Sequence, residues 1–219
     1  MAVAPLPEQR EAISGLLSQM CTAAGEALRL ATAALVNDQE RLALRVQASD
    51  AEIDMLRARV EEVAFESMAL HAPVAGDLRA MVAAIRCAGD IERMGDLAKH
   101  VAATAARQAR GTPVPASARE MLVEMARLGC AMAAKAAEVA RTRNVILAIE
   151  LDSDDDAMDR LLRDVFTMLL DPAWEHGIGA AVDVTLLARY YERFADHAVS
   201  VAKEVVYMVT GKAPEDLVL

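Results

Sequence analysis

Four carboxylates are the residues whose spacing could do chemistry. Glu92 and Asp96 stand four residues apart, and the same pair returns a hundred positions later as Glu192 and Asp196. On a helix that spacing sets two side chains one turn apart on the same face. Such a pair is a two-armed ligand for a hard cation, with further acids or water completing the shell. Two like charges at this spacing also repel by roughly 0.2–0.5 kcal/mol, and Arg93 and Arg193, three residues before each Asp, relieve part of that repulsion. His100 lies one further turn along the stripe of Glu92 and Asp96 and is a candidate additional ligand for an iron- or zinc-like site; its counterpart, Ser200, is a poorer one. A single Glu-x-x-x-Asp is ordinarily a solvated helix face. What singles these out is that Glu, Arg and Asp are held in both copies while their neighbours differ.

The elements that position the acids are themselves repeated. Residues 81–105 align without a gap with residues 181–205, and Val82, Ala88, Ala98, Val101 and Ala102 recur as Val182, Ala188, Ala198, Val201 and Ala202. In the second copy Leu187, Tyr191, Phe194, Ala198, Val201, Val205 and Met208 alternate spacings of four and three, a heptad seam. Cys87, Ile91, Met94, Ala98, Val101 and Ala105 form the matching seam in the first. Against these seams the acids fall at positions b and f, which predicts that they face away from the core of their own bundle.

The rest of the chain is read as the remainder of two equal units. Apolar spacing predicts a first helix from Glu8 to about Gln47. Ser49 with Glu52 forms a capping-box pattern for a second helix ending near His71. Pro73 suits the first turn of a third, capped by Gly111 after about Arg110. After the turn-forming run Gly111-Thr-Pro-Val-Pro115 the grammar restarts. A long helix is expected from Ala116 to Leu147, a short one from the acidic Asp152-Ser-Asp-Asp-Asp156 to Leu170, and a last one to Val209 with Gly211 as its cap. Ile53-Asp54 and Met158-Asp159 occupy similar places in the two halves. The expected fold is all-α: two tandem antiparallel three-helix bundles, residues 8–111 and 116–211, joined by a linker at 112–115. Periodicity alone also allows one mixed six-helix bundle.

Composition narrows the function classes. Of the 219 residues 55% are apolar but only 3% aromatic, a mixture of Ala, Leu, Val and Met that suits packed helices. The formal net charge of −10 argues against sequence-independent nucleic-acid binding. No secretory leader or membrane-length apolar run is read, so the chain is expected to be cytoplasmic. Cys21, Cys87 and Cys130 lack metal or redox spacing and read as small buried hydrophobes. There is no P-loop, G-x-S-x-G, H-E-x-x-H or dinucleotide fingerprint, and no catalytic residue is assigned.

At these residues the chain resembles the PhoU family of phosphate-transport accessory and regulatory proteins. The likeness runs nearly the whole length. It rests on Pro73, Asp77-Leu78-Arg79 and Asp90-Ile-Glu-Arg-Met-Gly-Asp96 in the first half, then on Ala188-Arg-Tyr-Tyr-Glu-Arg-Phe-Ala-Asp-His197, Val201-Ala-Lys-Glu204 and Gly211 in the second. It departs from the family pattern at His100, Ser200 and Phe194-Ala195. The resemblance implies that the two three-helix bundles are related by pseudo-twofold symmetry. It implies a non-enzymatic, cytoplasmic, often dimeric regulator acting between the phosphate-specific ABC transporter ATPase and a sensor histidine kinase, and repressing the phosphate-starvation response when phosphate is plentiful. It also implies that Glu92, Asp96, Glu192 and Asp196 are metal-site residues, for iron or zinc. Arg93 and Arg193 are candidates for partner contact. Two other readings stand beside this one: a metal-dependent enzyme or metal store using the acidic faces, and a structural coiled-coil protein whose acids only keep it soluble.

Overall fold

The computed structural model describes residues 5–37, 40–108 and 114–212. They form six helices, with no strand among them: α1 Leu6–Asn37, α2 Glu40–His71, α3 Gly76–Gln108, α4 Ala116–Thr142, α5 Val145–Leu170 and α6 Gly177–Thr210. None is long and apolar enough to cross a membrane.

Each half is a three-helix bundle. α1 packs on α2 and α3, which also pack on each other; α4 packs on α5 and α6, which pair in the same way. The halves then meet through α1 on α4 and α3 on α6, so each of these central helices lies against its own counterpart. α2 and α5 flank this four-helix centre on either side. The two bundles therefore share one continuous apolar core. Both heptad seams lie wholly within it, from Cys87 to Ala105 in α3 and from Leu187 to Met208 in α6.

Small residues bring the halves together. A Cβ at Gly25 of α1 would come within 3.1 Å of the Ala133 methyl in α4, and one at Gly129 within 3.0 Å of Leu28 Cδ2. Gly129 thus leaves a notch beside Leu28 and Phe194. Polar links cross the same boundary. The hydroxyls of Thr32 and Tyr191 are 2.9 Å apart in the buried interior, and Arg143 donates to Ser14 Oγ at 2.8 Å and to the Arg10 carbonyl at 3.2 Å. Arg86 reaches Glu204, His197 reaches Asp90, and Arg107 reaches Asp183. As numbers rise along α3 they fall along α6, so these helices run antiparallel and cross near Met94 and Phe194.

Two expected boundaries are corrected. The first break comes ten residues early: α1 ends at Asn37 and α2 begins at Glu40. Ser49 does not cap a helix; it lies inside α2, where its hydroxyl donates to the Arg45 carbonyl one turn back. Likewise α4 ends at Thr142 and α5 starts at Val145, capped by Asn144, whose side chain accepts from the amides of Ile146 at 3.0 Å and Leu147 at 3.3 Å. Arg143 takes the left-handed conformation that closes α4, at φ 56°. The acidic run Asp152–Asp156 is therefore mid-helix rather than a helix start. The helices are accordingly of similar length, not long-short-long. Pro73 precedes α3 instead of entering its first turn. Gly111 and residues 112–113 of the expected linker lie outside the described residues, whereas Val114 is buried in the core. Gly211 caps α6 as expected, at φ 77° with its amide donating to the Tyr207 carbonyl.

Candidate metal centre

The acid pairs are not on free faces. α2 lies over the Glu92–Asp96 side of α3, and α5 lies over the Glu192–Asp196 side of α6, so each pair lines a cleft between two helices. Glu192 is only 8% exposed. The expectation that these acids face away from packed structure fails because α3 and α6 are central helices, covered on more sides than one heptad seam describes.

The two clefts differ in what surrounds the acids. In the first, Lys99 Nζ sits 2.8 Å from Asp96 Oδ1 and 2.9 Å from Asp50 Oδ1 of α2. Arg93 donates to Asp96 at 3.1 Å, and Arg57 of α2 stands 3.5 Å from Glu92. Three cations thus answer three acids. Burial alone would push the Asp96 carboxyl up, but the Lys99 hydrogen bond and the charges of Lys99 and Arg93 outweigh it and hold the pKa below the usual value. Burial likewise disfavours the Lys99 charge, and the two aspartates more than offset it, raising its pKa.

In the second cleft the balance reverses. Asp155 of α5 shares the cleft with Glu192 and Asp196, with Asp152 and Asp159 near by. Burial first, then the fields of Asp196, Asp159, Asp152 and Glu192, push the Asp155 carboxyl up to about 6. Glu192 is raised by burial and by Asp196, against the opposing charge of Arg189, which donates to its Oε1. Asp196 is raised chiefly by burial, although Arg189, His197 and Arg193 pull the other way. Asp155 Oδ1 and Glu192 Oε2 are buried without a hydrogen-bond partner among the described residues. Orphaned buried oxygens of this kind are costly unless something satisfies them.

This contrast tests whether a metal fits. An all-oxygen donor set suits a hard cation. The second cleft offers one, with unsatisfied lone pairs and too little positive charge. It is a donor set rather than a finished shell: among the described residues no three His, Cys, Asp or Glu side chains stand arranged to hold an ion. In the first cleft ammonium and guanidinium groups already occupy the acids, and a cation does not fit.

The remaining candidates sit in a pocket that shares Arg93 and Asp96 with the first cleft. Arg93, Asp96, Leu97 and His100 of α3 and Arg193 and His197 of α6 line a surface pocket of about 210 Å³ where the two helices cross. His100 stacks on Tyr190 of α6, ring centroids 5.2 Å apart, so its ring lies toward the α6 side of α3. Arg79, Arg86 and Arg93 do not act as one anion-binding row: Arg79 lies over the Tyr207 ring, while Arg86 and Arg93 pair with separate acids. The three cysteines are free thiols; Cys21 and Cys87 are buried as expected, whereas Cys130 is part-exposed, and burial pushes Cys21 up to about 12 and Cys130 up to about 11, which keeps both protonated at neutral pH. Sequence reasoning missed Asp50, Arg57, Lys99 and Asp155. The spacing that pairs Asp54 with Asp159 also pairs Asp50 with Asp155, and carrying it one turn back would have found both.

Known proteins with this sequence pattern and fold point one way. The family model for the PhoU domain matches twice, over residues 17–105 and 122–205, once in each half. A phosphate-specific transport system accessory protein PhoU homolog 1 from Mycobacterium leprae is 46% identical over 209 residues, 95% of this chain and 94% of that protein. PhoU homolog 2 from Mycobacterium tuberculosis is 46% identical over 207 residues, covering 94% and 97%. Among solved structures, PhoU from Pseudomonas aeruginosa superposes with a TM-score of 0.85 at 23% identity, over 95% of this chain and all of that one. The regulatory protein PhoU from Streptococcus pneumoniae does so with a TM-score of 0.85 at 19% identity, over 98% and 100%. Those two likenesses carry the fold; the family follows from the model and the close relatives, and with its duplicated helical bundles the chain belongs to the PhoU family.

Proposed function

We propose that this protein is a non-catalytic accessory of a phosphate-specific transport system. It couples the transporter ATPase to a two-component sensor histidine kinase and represses phosphate uptake and the starvation response when phosphate is plentiful. The observation that carries this reading is the 46% identity, over almost the full length of both chains, to relatives named as accessory proteins of that system. Its place of work on this reading is the cytoplasm, as a homodimer.

The pocket at the α3–α6 crossing is the contact surface that best suits a partner. It presents Arg93 and Arg193 from both halves beside two imidazoles, a combination that favours an acidic segment of the kinase or ATPase. Iron or zinc, where bound, belongs to the second cleft, where Asp155, Glu192 and Asp196 offer oxygens that a shift of side chains and further donors or water would have to complete, and it supplies the positive charge that cleft lacks. The same unsatisfied acids favour a second reading, a metal store or metal-dependent enzyme. Turnover of a phosphorylated or redox substrate by metal-loaded protein would establish that reading instead.

Deletion of the gene is the direct test. The relatives in Mycobacterium tuberculosis include both a homolog 1 and a homolog 2, so the deletion is made in a strain lacking any second copy. Phosphate-starvation promoters should then fire in phosphate-rich medium. Continued repression overturns the reading.

A further inference from the structure

We infer that metal binding is confined to one half of the molecule, because Lys99 stands in the first cleft as a built-in cation. This inference rests on the proposed reading of the second cleft as the metal site and sharpens it.

Lys99 corresponds to Val199, and Arg57 of α2 corresponds to Leu162 of α5. The acids they serve have direct counterparts: Asp50 with Asp155, Glu92 with Glu192, and Asp96 with Asp196. In the first cleft the Lys99 ammonium bridges an aspartate from each helix at 2.8 and 2.9 Å. It contacts both Asp50 oxygens, the second at 3.0 Å. An ion shared by α2 and α3 would have to take that place. Arg57 and Arg93 stand within 3.5 and 3.7 Å of the remaining acid, Glu92, so no carboxylate in the cleft is left without a positive neighbour. A divalent ion there would have to expel the lysine or sit beside two guanidinium groups. Both are unfavourable in a partly buried site.

In the second cleft the same two positions are aliphatic. Val199 and Leu162 are both buried, and neither can answer a charge. Among the described residues only Arg189 pairs with Glu192, and Glu192 Oε2 and Asp155 Oδ1 have no hydrogen-bond partner. The duplicated protein thus keeps one fold and two charge solutions: a lysine built into one half, an exchangeable cation in the other.

Titration of the metal-free, full-length protein with Mn²⁺, followed by amide NMR, distinguishes the halves without any substitution. Because α3 and α6 touch, the stretches compared are on α2 and α5, which lie on opposite sides of the four-helix centre. Paramagnetic broadening should reach the amides of residues 155–158 strongly and those of residues 50–53 far less. Equal broadening in both stretches overturns the inference. The Arg57→Leu/Lys99→Val variant, which gives the first cleft the residues of the second, should gain broadening at 50–53. If the wild type broadens in neither stretch, the metal reading of the second cleft fails. The variant still decides the role of Lys99: new broadening at 50–53 upholds it, and none overturns it.

Discussion

The two carboxylate clefts begin from the same acids and end with opposite electrostatics. Asp96 is held below the usual carboxylate range, and its counterpart Asp196 above it. The backbone does not explain the difference, since both helices present the acid toward a covering helix. The causes are Lys99, which bonds Asp96 where the second half has Val199, the Arg93 hydrogen bond to Asp96, and the deeper burial of Asp196. A partly buried acid is stabilising or costly according to whether a cation shares its cleft, and this molecule contains both cases in one chain.

The largest effect expected from breaking that contrast is at Lys99. Lys99→Met keeps the stem and removes the charge, leaving Asp50 and Asp96 facing each other across the first cleft. It should lower the stability of metal-free protein by about 1–2 kcal/mol, after allowing for the partial exposure of the pair. Urea denaturation measures this. A change within error would mean that solvent already compensates those acids.

Matched substitutions in the two halves should then differ in sign. Asp50→Asn removes a partner of Lys99 and should destabilise by about 1 kcal/mol. Asp155→Asn removes a repelled charge, adds donors beside Glu192 and Asp196, and should stabilise metal-free protein by about 1 kcal/mol. Shifts in the same direction would show that the clefts are electrostatically alike.

The smallest effect is the pH dependence of the second cleft. A carboxyl whose folded pKa is raised favours folding when protonated. The Asp155 contribution is therefore fully present below its ordinary unfolded pKa and is lost as pH rises through about 6. In metal-free protein this amounts to roughly 1 kcal/mol once solvent screening is included, and Asp155→Asn should flatten the stability profile between about pH 4 and pH 7. A profile unchanged by that substitution would place the acid in water.

Much of this was legible in the sequence, and what was not has physical causes. The gapless repeat and its heptad seams located α3, α6 and the four acids, because burial imposes a period that survives duplication. Helix breaks were harder to read. Asn37 and Asn144 end or start helices, and neither stands out beside the stronger-looking signals at Ser49 and Asp152. A capping pattern is local, and the packing of α2 on α1 and α3 overrides it. Reading Asp152–Asp156 as a helix start also hid its main role, which is to aim Asp155 at α6. The cations of the first cleft were invisible for another reason. Lys99 and Arg57 lie on different helices, and only the packing of α2 on α3 brings them to the same acids.

The contact of α1 with α4 and of α3 with α6 carries a last consequence. A helix that packs on its own counterpart across a twofold is the arrangement of an isologous dimer interface. The molecule is, in effect, a symmetric dimer whose subunits have been joined end to end. In a true homodimer any substitution enters both copies at once, so a lysine that closes one cleft must close the other. Joining the copies removes that coupling. One half becomes free to take a permanent lysine cation while the other keeps its acids uncompensated, and the resulting molecule has a distinguishable left and right on a nearly symmetric frame.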